Sequence, residues 1–226
     1  MLLLRHRSID AAVELAISQG AEQVLEIAGG LTGRSLRLGA KHPHVRFVEG
    51  DLPGMVAEKR RRLAKLGHAA SALTVRHVDF LEESGPHSIG GTFAECLDPT
   101  KKTVVVTEGL LTYLDRTSVE AAWARIARAM LPAGGWYISE LHPRSEIVGY
   151  RVARVFLRWL AVVARGRIEL HHDTAEEAIG AAKLAGFDSV DAKDANVWLG
   201  GETRTPLIRV LFAEVRSRKA TGAETK

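Results

Sequence analysis

Cysteine is nearly missing from this chain. Cys96 is its single thiol, so no disulfide can form within the molecule and no zinc site can be built from cysteine pairs. Long apolar runs are missing as well, since no stretch reaches the roughly 18–20 residues that a bilayer-crossing helix requires. The opening Met1-Leu-Leu-Leu-Arg-His-Arg is charged too early for a secretory signal, so the expectation is a cytoplasmic protein with no membrane insertion. Aromatic residues make up only 6% of the sequence, and they are not interleaved with the basic runs at 59–62, 144–167 and 216–219. A single-strand nucleic-acid platform needs that interleaving. The net charge of +4 therefore reads as solvated basic faces, with no nucleic-acid partner expected. His-x-Glu and His-Glu-x-x-His spacings are absent, which predicts no metal.

What is present suits one α/β domain. The 226 residues, 46% hydrophobic and 26% charged, resemble average globular usage. Residues 1–218 are expected to form a single domain, with 219–226 a frayed tail. Residues 8–19 carry Ile9, Ala12, Val13, Ala16 and Ile17 at helical spacing, and Gly20 ends that helix. A strand from Gln23 runs into the turn Ala28-Gly-Gly-Leu-Thr-Gly and a further helix. Strands follow at 45–51, 72–80, 103–109 and 136–140, with helices at 52–66 and 116–131 between them. The run Val104-Val-Val is a strand buried on both faces, and the regular alternation predicts a mostly parallel, Rossmann-like sheet. After a helix at 174–185, two strands at 188–193 and 206–217 follow without a helix between them, which predicts a seven-stranded sheet closed by an antiparallel C-terminal hairpin.

A glycine-rich turn after a first strand lets backbone approach a ligand closely, and open α/β sheets bind ligands at the carboxyl ends of their strands. Gly29 and Gly30 occupy that turn, with Glu26 on the strand leading into it. Glu49 and Asp51 end the second strand, where a carboxylate can accept both hydroxyls of a ribose. Asp79 ends the third strand, placed to accept the amine of an adenine while Phe80 packs on the base. Each acid alone could equally be a helix cap or a solubilising loop residue. Three acids at successive strand ends point together to an adenosine ligand.

Five segments resemble, in order and spacing, the leucine carboxyl methyltransferase-like family: Arg5-His-Arg-Ser-Ile-Asp; residues 23–34; Val48-Glu-Gly-Asp-Leu-Pro with Lys59 downstream; Val78-Asp-Phe; and Thr107-Glu-Gly-Leu-Leu-Thr-Tyr-Leu. The similarity covers about residues 5–140. The resemblance implies a class I methyltransferase that uses S-adenosylmethionine. It implies that Arg5 holds the methionine carboxylate, that Gly29 and Gly30 line the methionine and ribose, and that Asp51 takes the ribose hydroxyls. Asp79 and Phe80 would meet the adenine, and Glu108 would contact the cofactor from the end of strand four. The pattern departs from the family where Gly-Ala-Gly-Leu-Asp is replaced by Ala28-Gly-Gly-Leu-Thr, losing the first glycine and the acid. The family also carries several tens of residues ahead of the Arg5 position, against four here. Cover for the cofactor is therefore expected from a partner copy or from an amphipathic lid at 142–172.

The expected reaction is methyl transfer to an oxygen of a small-molecule acceptor. A carboxylate acceptor needs only a cation to place it, and Arg144, Arg151 and Arg154 are candidates. A hydroxyl acceptor would call for a base, with His142, His171 and His172 nearest in sequence, while Tyr113 could border the acceptor pocket. The alternatives are a methyltransferase fold that binds the cofactor without methyl transfer or has been repurposed, and a nicotinamide-dependent oxidoreductase. The C-terminal hairpin and the Glu108 motif weigh against the last. For the apolar face of 142–172, the alternative to a lid is a homodimer interface.

Overall fold

The computed structural model describes residues 2–67, 73–148, 169–202 and 208–218. The elements in chain order are α1 (Leu2–Ser18), β1 (Gln23–Ile27), α2 (Arg34–Lys41), β2 (Arg46–Asp51), α3 (Pro53–Lys65), β3 (Leu73–His77), α4 (Ile89–Cys96), β4 (Thr103–Thr107), α5 (Arg116–Met130), β5 (Gly135–Leu141), α6 (Arg144–Val148), α7 (Ala175–Leu184), β6 (Ser189–Asp194) and β7 (Arg209–Val215). The seven strands lie in the order β3-β2-β1-β4-β5-β7-β6. Strands β3, β2, β1, β4 and β5 pair in parallel, and β7 runs antiparallel to both β5 and β6.

Side chains on a strand alternate between faces, and both faces here are apolar. Leu25, Ile27, Val105 and Tyr137 pack toward α4, α5 and α7. Val24, Val104, Val106 and Ile138 pack toward α1, α2 and α3. The result is a three-layer sandwich whose central strands β1, β4 and β5 are buried end to end, as the bare runs Gln-Val-Leu-Glu-Ile and Thr-Val-Val-Val-Thr foreshadow. Helix entry is fixed by side-chain caps. Asp115 accepts from the Ser118 N–H, Thr174 from the Glu177 N–H, and Ser88 from the Gly91 N–H.

Three expectations are corrected. The first helix begins at Leu2 rather than near residue 8, so Arg5 and His6 lie on a helix and share its inner side with Asp10. The third strand ends at His77, which leaves Asp79 and Phe80 in the following loop. The helix α4 between β3 and β4 was not foreseen. Of the segment 142–172, the helix α6 is described, while Arg151, Arg154 and the apolar stripe fall in 149–168, outside the described residues, as does the tail 219–226.

Strand register positions the site. Gly50, Ile27, Thr107 and Ser139 are neighbours across β2, β1, β4 and β5. The residues that follow them, Asp51, Ala28, Glu108 and Glu140, therefore emerge in one row along the carboxyl edge of the sheet. The order reverses between β1 and β4, and an open α/β sheet has its ligand crevice at that point.

Candidate functional site

The turn after β1 carries the first half of the crevice. Gly30 sits at φ 57°, and open space lies where a side chain would project from it. Its N–H donates to Asp51 Oδ2 at 2.9 Å, while Asp51 Oδ1 accepts from the Leu52 N–H at 2.8 Å. These two bonds hold the half-buried carboxylate at the rim of β2 against the turn. Gly29 has no room for a side chain, because a Cβ there would come within 2.8 Å of the Glu26 carboxyl carbon. A narrow pocket is bordered by Gly29, Gly30, Glu49, Asp51, Met55 and Lys59.

Ala28 occupies the left-handed region, at φ 55°, where the family pattern has glycine. A residue with a Cβ costs about 1–2 kcal/mol there, and glycine loses roughly 0.5–1 kcal/mol of that gain through its looser unfolded chain. Ala28→Gly should therefore raise stability by about 0.5–1 kcal/mol, or roughly 1–4 °C in Tm for a chain of this size. Thermal unfolding checks it, and a lower Tm would show that the turn holds Ala28 without strain.

Beneath the turn lies a buried ionic cluster centred on Arg34, the first residue of α2, whose side chain is fully enclosed. Its Nε donates to Asp10 at 2.6 Å, its Nη1 to Glu26 at 2.5 Å, and its Nη2 to Glu108. Arg5 reaches the other oxygen of Glu108 at 2.9 Å, and Arg37 reaches Asp10 at 2.5 Å. Burial pushes the Glu108 carboxyl up, but the charge and hydrogen bond of Arg34, then those of Arg5, hold it below the ordinary carboxylate range. The Arg34 guanidinium is raised above its ordinary value, because the three carboxylates outweigh its desolvation. Arg5 keeps Nη1 and Nη2 without a partner among the described residues and lies against Gly109, which turns at φ 71°.

The structure divides the expected site residues into groups. Arg5, Glu26 and Glu108 meet through Arg34, and Gly29, Gly30 and Asp51 form the turn. Glu49 is buried and ion-paired with Lys59, whose ammonium also donates to the Thr32 carbonyl at 3.0 Å. Asp79 is half-buried in the loop after β3 and accepts from the Leu81 N–H at 2.9 Å. Phe80 is turned into the core with Val78, Ile89 and Trp123. Tyr113 is exposed, and His142 is half-buried beyond β5. Arg144 donates to the Leu170 carbonyl at 2.8 Å and pairs with Asp173 at 3.3 Å.

Sequence reasoning missed two residues, Arg34 and Glu140. Glu140 is buried at the end of β5, and its Oε1 accepts from the Gly109 N–H at 2.7 Å. Its signal was a lone acid in the apolar run Trp-Tyr-Ile-Ser-Glu-Leu. Among the described residues, no group of three or more His, Cys, Asp or Glu is disposed to hold a metal, and no helix is long and apolar enough to cross a membrane.

This strand order, with its single reversed strand and its crevice between β1 and β4, is the class I methyltransferase fold. An O-methyltransferase family protein of Burkholderia thailandensis superposes with a TM-score of 0.67 at 16% identity, over 96% of this chain and 57% of that one. Human N-acetylserotonin methyltransferase, solved with S-adenosylmethionine, superposes with a TM-score of 0.60 at 14% identity, over 93% of this chain and 51% of the other. The chain belongs to the leucine carboxyl methyltransferase family, whose model matches residues 1–127. Its curated relatives include candidate S-adenosyl-L-methionine-dependent methyltransferases of Mycobacterium marinum, 34% identical over 71% of this chain, and of Mycobacteroides abscessus, 30% identical over 67%. The chain spans about half the length of these relatives, 49% and 48% respectively.

Proposed function

We propose that this chain binds S-adenosylmethionine in the crevice between β1 and β4 and takes part in methyl transfer to an oxygen of a small acceptor. The observation that carries the reading is the turn itself. Gly30 leaves open space beside its backbone, and the Asp51 carboxylate is fixed against it with lone pairs still free for a ribose. The residues fit the cofactor: Arg5 offers two donor nitrogens that have no partner among the described residues at the strand-order reversal, suited to an amino-acid carboxylate, and Asp79 stands in the loop after β3 for an adenine amine. Glu26, Glu49 and Phe80 are closed from solvent and act as supports beneath these groups. When bound, S-adenosylmethionine supplies an electrophilic methyl group on a sulfonium. What the chain contributes is alignment and exclusion of water, a positioning effect worth up to about 7–11 kcal/mol in favourable cases. The O-methyltransferases among the structural neighbours support an oxygen acceptor.

Isothermal titration with S-adenosylhomocysteine tests the reading, and micromolar-range binding is expected. Asp51→Ala should weaken it roughly ten- to a hundredfold, since hydrogen bonds to a charged acceptor contribute about 1.5–3 kcal/mol. Asp51→Asn, which keeps an acceptor for the Gly30 N–H, should retain the fold and lose less. An unchanged dissociation constant in both variants would remove the ribose from β2, and absence of binding by the parent chain would overturn the cofactor assignment.

A further inference from the structure

Glu140 is 3% exposed. Its Oε1 is satisfied by the Gly109 N–H, whereas its Oε2, also buried, meets no hydrogen-bond partner among the described residues. Native structures rarely leave a buried carboxylate oxygen without a donor, because its lost hydration is not replaced. Such an atom is suited to a donor that arrives with a ligand.

Its surroundings say what kind of donor. Glu140 borders a narrow pocket beyond β4 and β5 with Thr112, Trp123, His142, Glu169 and His171. Two carboxylates line that pocket, and among the described residues no lysine or arginine does. His172 at its back adds no cation. Burial, then the charge of Arg116, pulls its pKa below the ordinary histidine value, and its ring stacks on Trp123 with centroids 5.7 Å apart. His171 faces the Leu114 carbonyl at 2.8 Å. The pocket therefore repels an anionic acceptor and attracts a hydroxyl proton. It also adjoins the crevice, since Glu140 is bonded to the residue that follows Glu108.

We propose that Glu140 is the acceptor-binding base of the reaction and that the acceptor is an uncharged hydroxyl compound, phenolic or enolic, rather than a carboxylate. The proposal rests on the cofactor reading above. The acceptor O–H donates to Glu140 Oε2. As the oxygen–carbon bond forms and the carbon–sulfur bond breaks with its electron pair passing to sulfur, the hydroxyl proton moves to Oε2 and is then released to water.

The test uses Glu140→Gln, which keeps a carbonyl oxygen for the Gly109 N–H and should retain the parent melting temperature and S-adenosylhomocysteine affinity. Parent and variant are titrated, with and without S-adenosylhomocysteine, against matched pairs: 4-methylphenol with 4-methylbenzoate, and 2-naphthol with 2-naphthoate. The parent should bind the hydroxyl member of a pair at least about tenfold more tightly than its carboxylate partner. In Glu140→Gln the hydroxyl compound should weaken by about tenfold while the carboxylate strengthens, which closes the gap. Tighter binding of carboxylates by the parent, an unchanged preference in the variant, or binding of neither class overturns the proposal. Failure of S-adenosylhomocysteine to bind the parent overturns the cofactor reading instead, and the titrations without it separate the two failures.

Discussion

Arg34→Met should lower the stability of the chain by about 3–5 kcal/mol, a large part of the 5–15 kcal/mol by which a typical domain is held together. The shapes are close enough that packing alone would not cause this. The guanidinium is fully enclosed and is shared by Asp10 of α1, Glu26 of β1 and Glu108 after β4, so a single cation ties together three elements. Its removal leaves Glu26 buried without its counter-ion and Glu108 with only Arg5 and the His6 ring. Breaking a buried pair on one side strands the remaining charge, which is the costly case. Arg34→Lys should fall between the two, because one ammonium cannot match three carboxylates. The pH dependence gives a second readout. In the parent, Glu108 titrates below its ordinary value, so its contribution is present above the unfolded pKa and is lost as pH falls through the native one. In Arg34→Met the burial of Glu108 is no longer outweighed, its pKa rises, and the variant should gain stability on acidification from pH 7 toward 5. Urea midpoints across that range measure both effects. A variant matching the parent at pH 7 would mean that the cluster contributes nothing to the fold.

That cluster was out of reach of sequence reasoning, while the sheet was not. Val104-Val-Val and Gly135–Leu141 declare themselves because strands covered on both faces must be apolar along their whole length. The C-terminal hairpin shows in the sequence as two strand patterns with no amphipathic helical pattern between them. By contrast, residues 2–7 read Leu-Leu-Leu-Arg-His-Arg, without the spacing of an amphipathic helix, and their helix is drawn out by polar contacts to Arg34 and Glu108. Helix α4 is masked by Gly90 and Gly91, poor helix formers. Gly91 is there because a Cβ would fall 2.1 Å from the Gly85 carbonyl oxygen, and the Ser88 cap starts the helix regardless. In the site, the glycines and strand-end acids are legible because each is tied to a strand end. Whether an acid faces ligand or protein is decided by partners far away in the chain. Glu108 meets Arg34 across 74 residues, and Gly109 meets Glu140 across 31, which no local pattern encodes.

Glu49 is the clearest instance, and its pairing gives the second large effect. Read along the strand, Glu49 and Asp51 look like equivalent ribose acceptors, yet only Asp51 reaches the rim. Glu49 is one of the most enclosed charges in the described chain, and the similarly buried Lys59 is the ammonium against it. Burial pushes the Glu49 carboxyl above the ordinary range, and Lys59 offsets that only in part. A carboxyl whose native pKa is raised favours the fold most when protonated. Its contribution is complete below the unfolded value of about 4.3 and is lost as pH rises through the native value. Lys59→Met removes the offset, so Glu49 must stay charged and unpaired at neutral pH or take up a proton. The expected loss is about 3–5 kcal/mol at pH 8. It should shrink steadily toward pH 5 as Glu49 protonates, against a parent profile that changes far less. Adding Glu49→Gln to Lys59→Met should recover most of the loss at pH 8, to within roughly 1–2 kcal/mol of the parent, since a neutral amide carries no stranded charge. Urea unfolding of the parent, Lys59→Met and the double variant at pH 5, 6.5 and 8 measures both effects. If the Lys59→Met loss were independent of pH, or if Glu49→Gln deepened it, the stranded carboxylate would not be its cause, and the loss would belong to the bond from Lys59 to the Thr32 carbonyl that steadies the glycine turn.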